Sequence, residues 1–121
     1  NAAALADKMT HHLSGGEKRA GSIATVLSMS PDILVLDEPS ANLDPASRRT
    51  LINLLRRFSH TKIIATHDLD MVMDLCTRSI VMKAGSILAD APVPDIFADC
   101  ALLEEARLEQ PLSYCLRHCG R

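Results

Sequence analysis

The sequence predicts an α/β chain with a mostly parallel sheet and flanking helices. Three observations carry this. Short apolar runs at 33–36 and 62–66 are separated by stretches of helical periodicity, the alternation that parallel pairing through crossover helices requires. The run Ile33-Leu34-Val35-Leu36 has no polar interruption, as expected of a strand buried on both faces. Helix-opening residues stand where the helices should start, at Ser14, Asp44 and Asp68.

The elements follow in order. Ser14 and Glu17 have capping-box spacing, and Ile23, Val26 and Leu27 recur at helical intervals, so 15–29 reads as a helix. Gly21 sits inside it at a cost of about 1 kcal/mol relative to alanine. Pro31-Asp32 ends that helix, and the first strand runs to Asp37-Glu38-Pro39. Asp44 followed by Pro45 opens a second helix with Leu51, Leu54, Leu55 and Phe58 on one face. Lys62 to Thr66 is the second strand. Asp68 caps a third helix whose Val72, Leu75 and Cys76 should face inward. Ser79–Met82 and Ser86–Ala89 form a hairpin turning at Ala84-Gly85. Residues 94–108 read as helical, and the tail from Gln110 has no clear periodicity.

Composition bounds the function. The 121 residues suffice for one small domain and its core. A net charge of −2 gives no electrostatic case for binding nucleic acid. No apolar run approaches the roughly 18–20 residues that span a bilayer, and no secretory leader pattern opens the chain. The first residue is Asn1 and not Met, which leads us to expect a fragment of a longer protein. Cys76, Cys100, Cys115 and Cys119 are expected to be reduced thiols in the cytoplasm. Cys115, His118 and Cys119 cluster, but no second pair stands at zinc-ligand spacing.

Three segments carry candidate chemistry. Ligands bind at the carboxyl ends of parallel strands, and Asp37, Glu38 and His67 fall at two such ends. A carboxylate at the Asp37 position can hold Mg²⁺ beside a nucleotide. Glu38, pointing differently, can orient or deprotonate water. A plain polar strand exit is the competing account of this pair. Ser14-Gly15-Gly16 opens a helix, where backbone N–H groups can receive an anion; an ordinary capped turn explains the same residues. His67 could donate to a developing phosphate charge, although a lone histidine is more often structural. His11, His12, His60 and His118 have no supporting context. Asp44 is accounted for by helix capping.

The order of these segments resembles one family. Leu13-Ser14-Gly15-Gly16-Glu17 looks like the signature loop of ABC ATPases. Ile33 to Glu38 resembles their Walker B strand with its catalytic glutamate, Ala41-Asn42-Leu43-Asp44 the D-loop, and Thr66-His67-Asp68 the switch histidine. The resemblance covers roughly residues 5–90. It implies an incomplete P-loop NTPase (RecA-like) fold. Residues 1–29 would be a remnant of the helical signature subdomain, 30–91 the C-terminal part of the ATPase core, and 92–121 a helical tail. It implies ATP and Mg²⁺ as ligands, with Asp37 on the metal, Glu38 as general base and His67 on the γ-phosphate. Leu13, Ser14, Gly15, Gly16 and Glu17 would bind ATP held by a second ABC ATPase subunit, and Asp44 would reach across the same interface.

Within the family the chain looks most like the ATPases of cobalt, nickel and energy-coupling-factor uptake systems, carried by Asp32 to Pro39 and Ala65 to Val72. That likeness implies transmembrane partner subunits, a place on the cytoplasmic membrane face, and import of metal ions or vitamins. The sequence departs from the family in three ways. It contains no Gly-x-x-x-x-Gly-Lys-Ser/Thr segment, no glutamine loop and no adenine-stacking aromatic. Ala20-Gly21 replace the usual basic residue and valine. Phosphate binding rests mainly on the missing loop, so the chain by itself should bind ATP poorly and hydrolyse hardly any. The family strand that would lie between 62–66 and 78–83 is missing too, which leaves unpaired edges and an expectation of self-association. Two other readings compete: a repair or chromosome-type ATPase, which should show long heptads before the signature, and a non-catalytic partner that lends its signature loop to another subunit.

Overall fold

The computed structural model describes residues 15–111 and Tyr114. Leu13 and Ser14 of the signature segment, and Cys115, His118 and Cys119, lie outside the described residues. The chain divides into two compact units, one up to His67 and one from Asp68.

The first unit contains α1 (Gly15–Ser28), β1 (Ile33–Asp37), α2 (Pro45–Arg57) and β2 (Thr61–Ala65). α1 closes with Met29 and Ser30 donating to Val26 and Leu27. Ser30 then turns left-handed (φ 51°), and Pro31 prevents continuation. α2 starts as the sequence predicts: Asp44 Oδ1 accepts from the N–H groups of Ala46 and Ser47, with Pro45 at the first helical position. The helix crosses back to set β2 parallel to β1, with Val35 opposite Ile63 and Asp37 opposite Ala65. Lys62 explains its place in a half-buried strand position by sending Nζ to the Phe58 carbonyl at 2.6 Å, which satisfies an orphan acceptor at the end of α2.

The buried side chains here are Ile23, Leu34, Pro39, Leu51, Ile52 and Leu55. β1 is not buried on both faces as its apolar run predicts. Leu34 is 3% exposed, whereas Ile33 and Val35 are 58% and 68% exposed, and their neighbour Ile63 is 54% exposed. Strand residues alternate between faces, so one face of this strand pair is covered and the other is open. Leu54, Phe58, Val26 and Leu27 are likewise only half-buried or exposed.

The second unit contains α3 (Leu69–Leu75), β3 (Arg78–Lys83), β4 (Ser86–Pro92), α4 (Val93–Ala98) and α5 (Cys100–Ala106). Asp68 caps α3 by accepting from Met71 N–H. β3 and β4 are antiparallel and form a sheet separate from β1–β2. Their two-residue turn takes positive φ at Ala84 and Gly85, the backbone that matches strand twist in a hairpin. Arg78 and Asp90 pair across it, which lowers the Asp90 pKa and raises that of Arg78. The core gathers Val72, Val81, Val93, Ile96, Phe97 and Leu103. Cys76 packs against it, while Leu75 is only half-buried.

The helix expected over 94–108 is broken in two at Asp99. Its side chain accepts from Leu102 N–H, so a new N-cap outcompetes one more helical turn. α5 then ends on Arg107 in the left-handed region. Gln110 folds back, donating to the Phe97 carbonyl.

Two substitutions test this packing. No atom lies within 4 Å of where a Cβ at Gly21 would stand, so Gly21→Ala should stabilise the chain by up to about 1 kcal/mol in urea unfolding. Leu55 is fully buried, so Leu55→Ala should cost about 2–5 kcal/mol in the same measurement.

Candidate functional site

The parallel register builds the site. Asp37 is the last residue of β1, opposite Ala65 at the end of β2. Glu38 N–H extends the ladder by donating to the Ala65 carbonyl at 2.8 Å. The chain then leaves the sheet: Glu38 has a φ of 42°, a left-handed backbone that costs a non-glycine residue roughly 1 kcal/mol or more. The turn swings its carboxylate toward the residues that follow β2. Oε1 accepts from His67 N–H at 3.0 Å and lies 2.7 Å from His67 Nδ1. Oε2 accepts from Thr66 Oγ1 at 3.0 Å.

These bonds set the electrostatics. The His67 ring, the Thr66 hydroxyl and the His67 backbone N–H all favour the ionised carboxylate. Together they hold Glu38 below its ordinary pKa against partial desolvation. Two donors fill Oε1, whereas Oε2 takes one of the two its lone pairs allow, which leaves an acceptor position for a water. With Nδ1–H on Glu38, the neutral His67 ring presents Nε2 as an acceptor; only the protonated ring offers a second donor. The His67 side chain is 80% exposed.

Asp37 is exposed beside this pair. Among the described residues, no group of three or more His, Cys, Asp or Glu side chains could cage a metal ion. A single carboxylate suits Mg²⁺ carried mainly by water and phosphate, which is that ion's habit at nucleotide sites.

The remaining candidates form a second cluster. Gly15, Gly16 and Glu17 make the first turn of α1. Nothing lies within 4 Å of a Cβ built at Gly15, so its backbone is open to close approach. Gly16 instead faces Ser47 of α2, whose hydroxyl donates to Asp44 Oδ2 at 2.6 Å. Asp44 thus caps α2 with both oxygens, two donors on Oδ1 and one on Oδ2, and those same bonds, Ser47 first, lower its pKa. The loop from Glu38 to Asp44 joins the two clusters, with Ala41 N–H on the Glu38 carbonyl and Leu43 N–H on that of Ser40.

Sequence reasoning missed Thr66 and Ser47 as partners. Thr66 stands directly before the candidate histidine, and only the parallel register brings its hydroxyl to Glu38. Ser47 lies three residues after a capping aspartate, a spacing that local turn chemistry could have flagged.

Comparison with known proteins adds one family match, two relatives and two solved structures. The family model described as AAA domain, putative AbiEii toxin, Type IV TA system matches residues 10–74. A putative ABC transporter ATP-binding protein of Geobacter sulfurreducens is 62% identical over 109 residues, covering 90% of this chain and 44% of the relative. An energy-coupling factor transporter ATP-binding protein of Methanospirillum hungatei is 42% identical over 109 residues, covering 87% of this chain and 39% of the relative. Among solved structures, the Clostridium perfringens protein CbiO1, part of an ABC transporter complex, superposes with a TM-score of 0.70 at 38% identity, over 94% of this chain and 47% of that one. An ATP-binding cassette of another ABC transporter gives 0.74 at 26% identity. The chain thus spans less than half the length of these relatives.

The carboxylate geometry predicts a pH signature. A depressed folded pKa gives stability that is present above the unfolded glutamate value and is lost as pH falls through the folded value. The stability difference between wild type and Glu38→Gln should therefore be widest near neutral pH and should close on acidification. A ¹³C titration of the Glu38 carboxyl should give a midpoint below the ordinary value, and Thr66→Val should move it upward.

Proposed function

The chain belongs to the AAA domain family, as an ABC-type ATP-binding protein, and from that premise we propose that it supplies the water-activating and signature elements of a transport ATPase. One observation carries the reading most: Glu38 and His67 are bonded at 2.7 Å at the ends of adjacent parallel strands, next to Asp37.

The proposed chemistry is hydrolysis of ATP to ADP and phosphate. Glu38, ionised and held by three donors, takes a proton from water through its open Oε2 position as the water oxygen bonds to the γ-phosphorus and the bond to ADP breaks. Mg²⁺, where bound at Asp37, neutralises phosphate charge. His67 in its protonated form keeps Nδ1–H on Glu38 and directs Nε2–H at the γ-phosphate. Leu13, Ser14, Gly15, Gly16 and Glu17 meet ATP held by a second subunit, with Asp44 reaching across the same interface.

The relatives and the CbiO1 structure support a role beside transmembrane subunits at the cytoplasmic membrane face. Uptake of a metal ion or vitamin as the coupled process rests on the motif likeness of Asp32 to Pro39 and Ala65 to Val72 to cobalt, nickel and energy-coupling-factor ATPases. No helix among the described residues is long and apolar enough to cross a membrane. A second reading keeps the same surfaces without turnover: the chain lends its signature segment to another subunit's nucleotide. It would draw on the start of α1, where the Gly15 backbone is open to close approach.

Turnover of the native gene product that contains this chain decides between them. Glu38→Gln should lower ATP hydrolysis by about 10²–10⁴-fold with nucleotide binding retained. Wild-type turnover in that variant would overturn the enzymatic reading. The 121-residue chain on its own should show little hydrolysis in the same assay.

A further inference from the structure

The loop that carries Asn42, Leu43 and Asp44 is tied to α1 at two independent points. Arg19, in the second turn of α1, donates from Nη1 to the Ala41 carbonyl at 3.3 Å, across 22 residues of sequence. One turn earlier, a Cβ built on Gly16 would stand 2.4 Å from Ser47 Oγ and 2.7 Å from Ser47 Cβ, with Leu43 Cδ2 at 3.7 Å. Both distances to Ser47 are shorter than real Cβ contacts, so glycine at 16 is what lets the two helix starts touch. Ser47 passes the contact on, because its hydroxyl and N–H both bond to the Asp44 carboxylate.

The loop needs such an anchor. Its internal bonds, Ala41 to Glu38 and Leu43 to Ser40, are both 3.2 Å, at the long end for N–H···O contacts. Asn42 between them has a φ of 59°, a conformation that local sequence does not enforce. A guanidinium offers five donors and keeps its charge at any working pH. A backbone carbonyl that receives one of them gains a donor from outside the loop; at 3.3 Å the bond is long for an N–H···O contact, as are the loop's own bonds. Left to solvent, an arginine on a helix surface would do nothing for a loop 22 residues away.

We propose that Arg19 is a positioning residue that fastens the 41–44 loop to α1, so that the Gly15-Gly16 turn and Asp44 move as one rigid edge. The inference deepens the function proposed above, in which both segments face a second subunit's nucleotide. On that reading, a ligand that draws the Gly15-Gly16 turn inward carries Asp44 with it, and through the Ala41–Glu38 bond the strain reaches the loop behind the general base. The fastening itself requires no nucleotide and is tested without one.

The test is amide hydrogen exchange on the 121-residue chain. Arg19→Met keeps the side-chain length and its packing but removes the donors; Arg19→Lys keeps one donor. Exchange in 41–44 should rise about tenfold in the methionine variant, the scale of losing one charged hydrogen bond. It should return toward wild type in the lysine variant, with β3–β4 unchanged in both. A role in packing alone would leave the methionine variant like wild type, and that result would overturn the proposal. If Arg19→Met instead loosens the whole chain, Gly16→Ala gives the second reading. The added methyl should displace Ser47 and shift the amide resonances of Ala46 and Ser47 together with those of 41–44. Changes confined to α1 would sink the idea. Loop loosening alongside turnover that ignores Glu38 would leave the clamp standing and remove only the functional reading.

Discussion

The site depends on one constraint, the parallel register of β1 and β2. It sets Asp37 opposite Ala65 and lets Glu38 donate its N–H to the Ala65 carbonyl. A slip of one residue would reverse the faces of every side chain on the strand and move Thr66 and His67 away from the carboxylate. Helix α2 enforces this register from a distance. Asp44 fixes its start, and Lys62 binds the Phe58 carbonyl at its end, so the return to β2 has little freedom. Capping, crossover and strand pairing thus converge on three side chains that share no local interaction in sequence.

The two polar clusters differ in kind. Glu38 takes its donors from Thr66 and His67, 28 and 29 residues away at the exit of the neighbouring strand. Asp44 spends its carboxylate on Ala46 and Ser47, which is the economy of a structural cap. Each carboxylate fills one oxygen with two donors and the other with one, so what separates them is the reach of their partners and not spare acceptor capacity. The left-handed backbone at Glu38 points the same way: strain of this kind survives where surrounding contacts over-determine it, and here the strand ladder and three side-chain bonds do so.

Much of this was legible in the sequence. The strand limits at 33–37 and the caps at Asp44 and Asp68 follow from apolar runs and turn chemistry, and the hairpin at Ala84-Gly85 needs only its glycine signal. The convergence of Glu38 and His67 was legible because strand-end acids in α/β order have few places to go. Three things were not. Asp99 looked like one polar residue in a helix, and only its bond to Leu102 shows that it starts another. Thr66 reaches Glu38 across 28 residues, a contact no local rule sees. The apolar run of β1 reported that the strand is made for an interior, but it could not report that one face is open in this chain.

That open face links the chain's folding to whatever comes to lie upon it. Ile33, Val35 and Ile63 are more than half exposed, and burying what remains exposed is worth about 1–2 kcal/mol apiece. A surface that covers them and binds the folded state alone raises stability by mass action, by an amount that grows with its concentration relative to Kd.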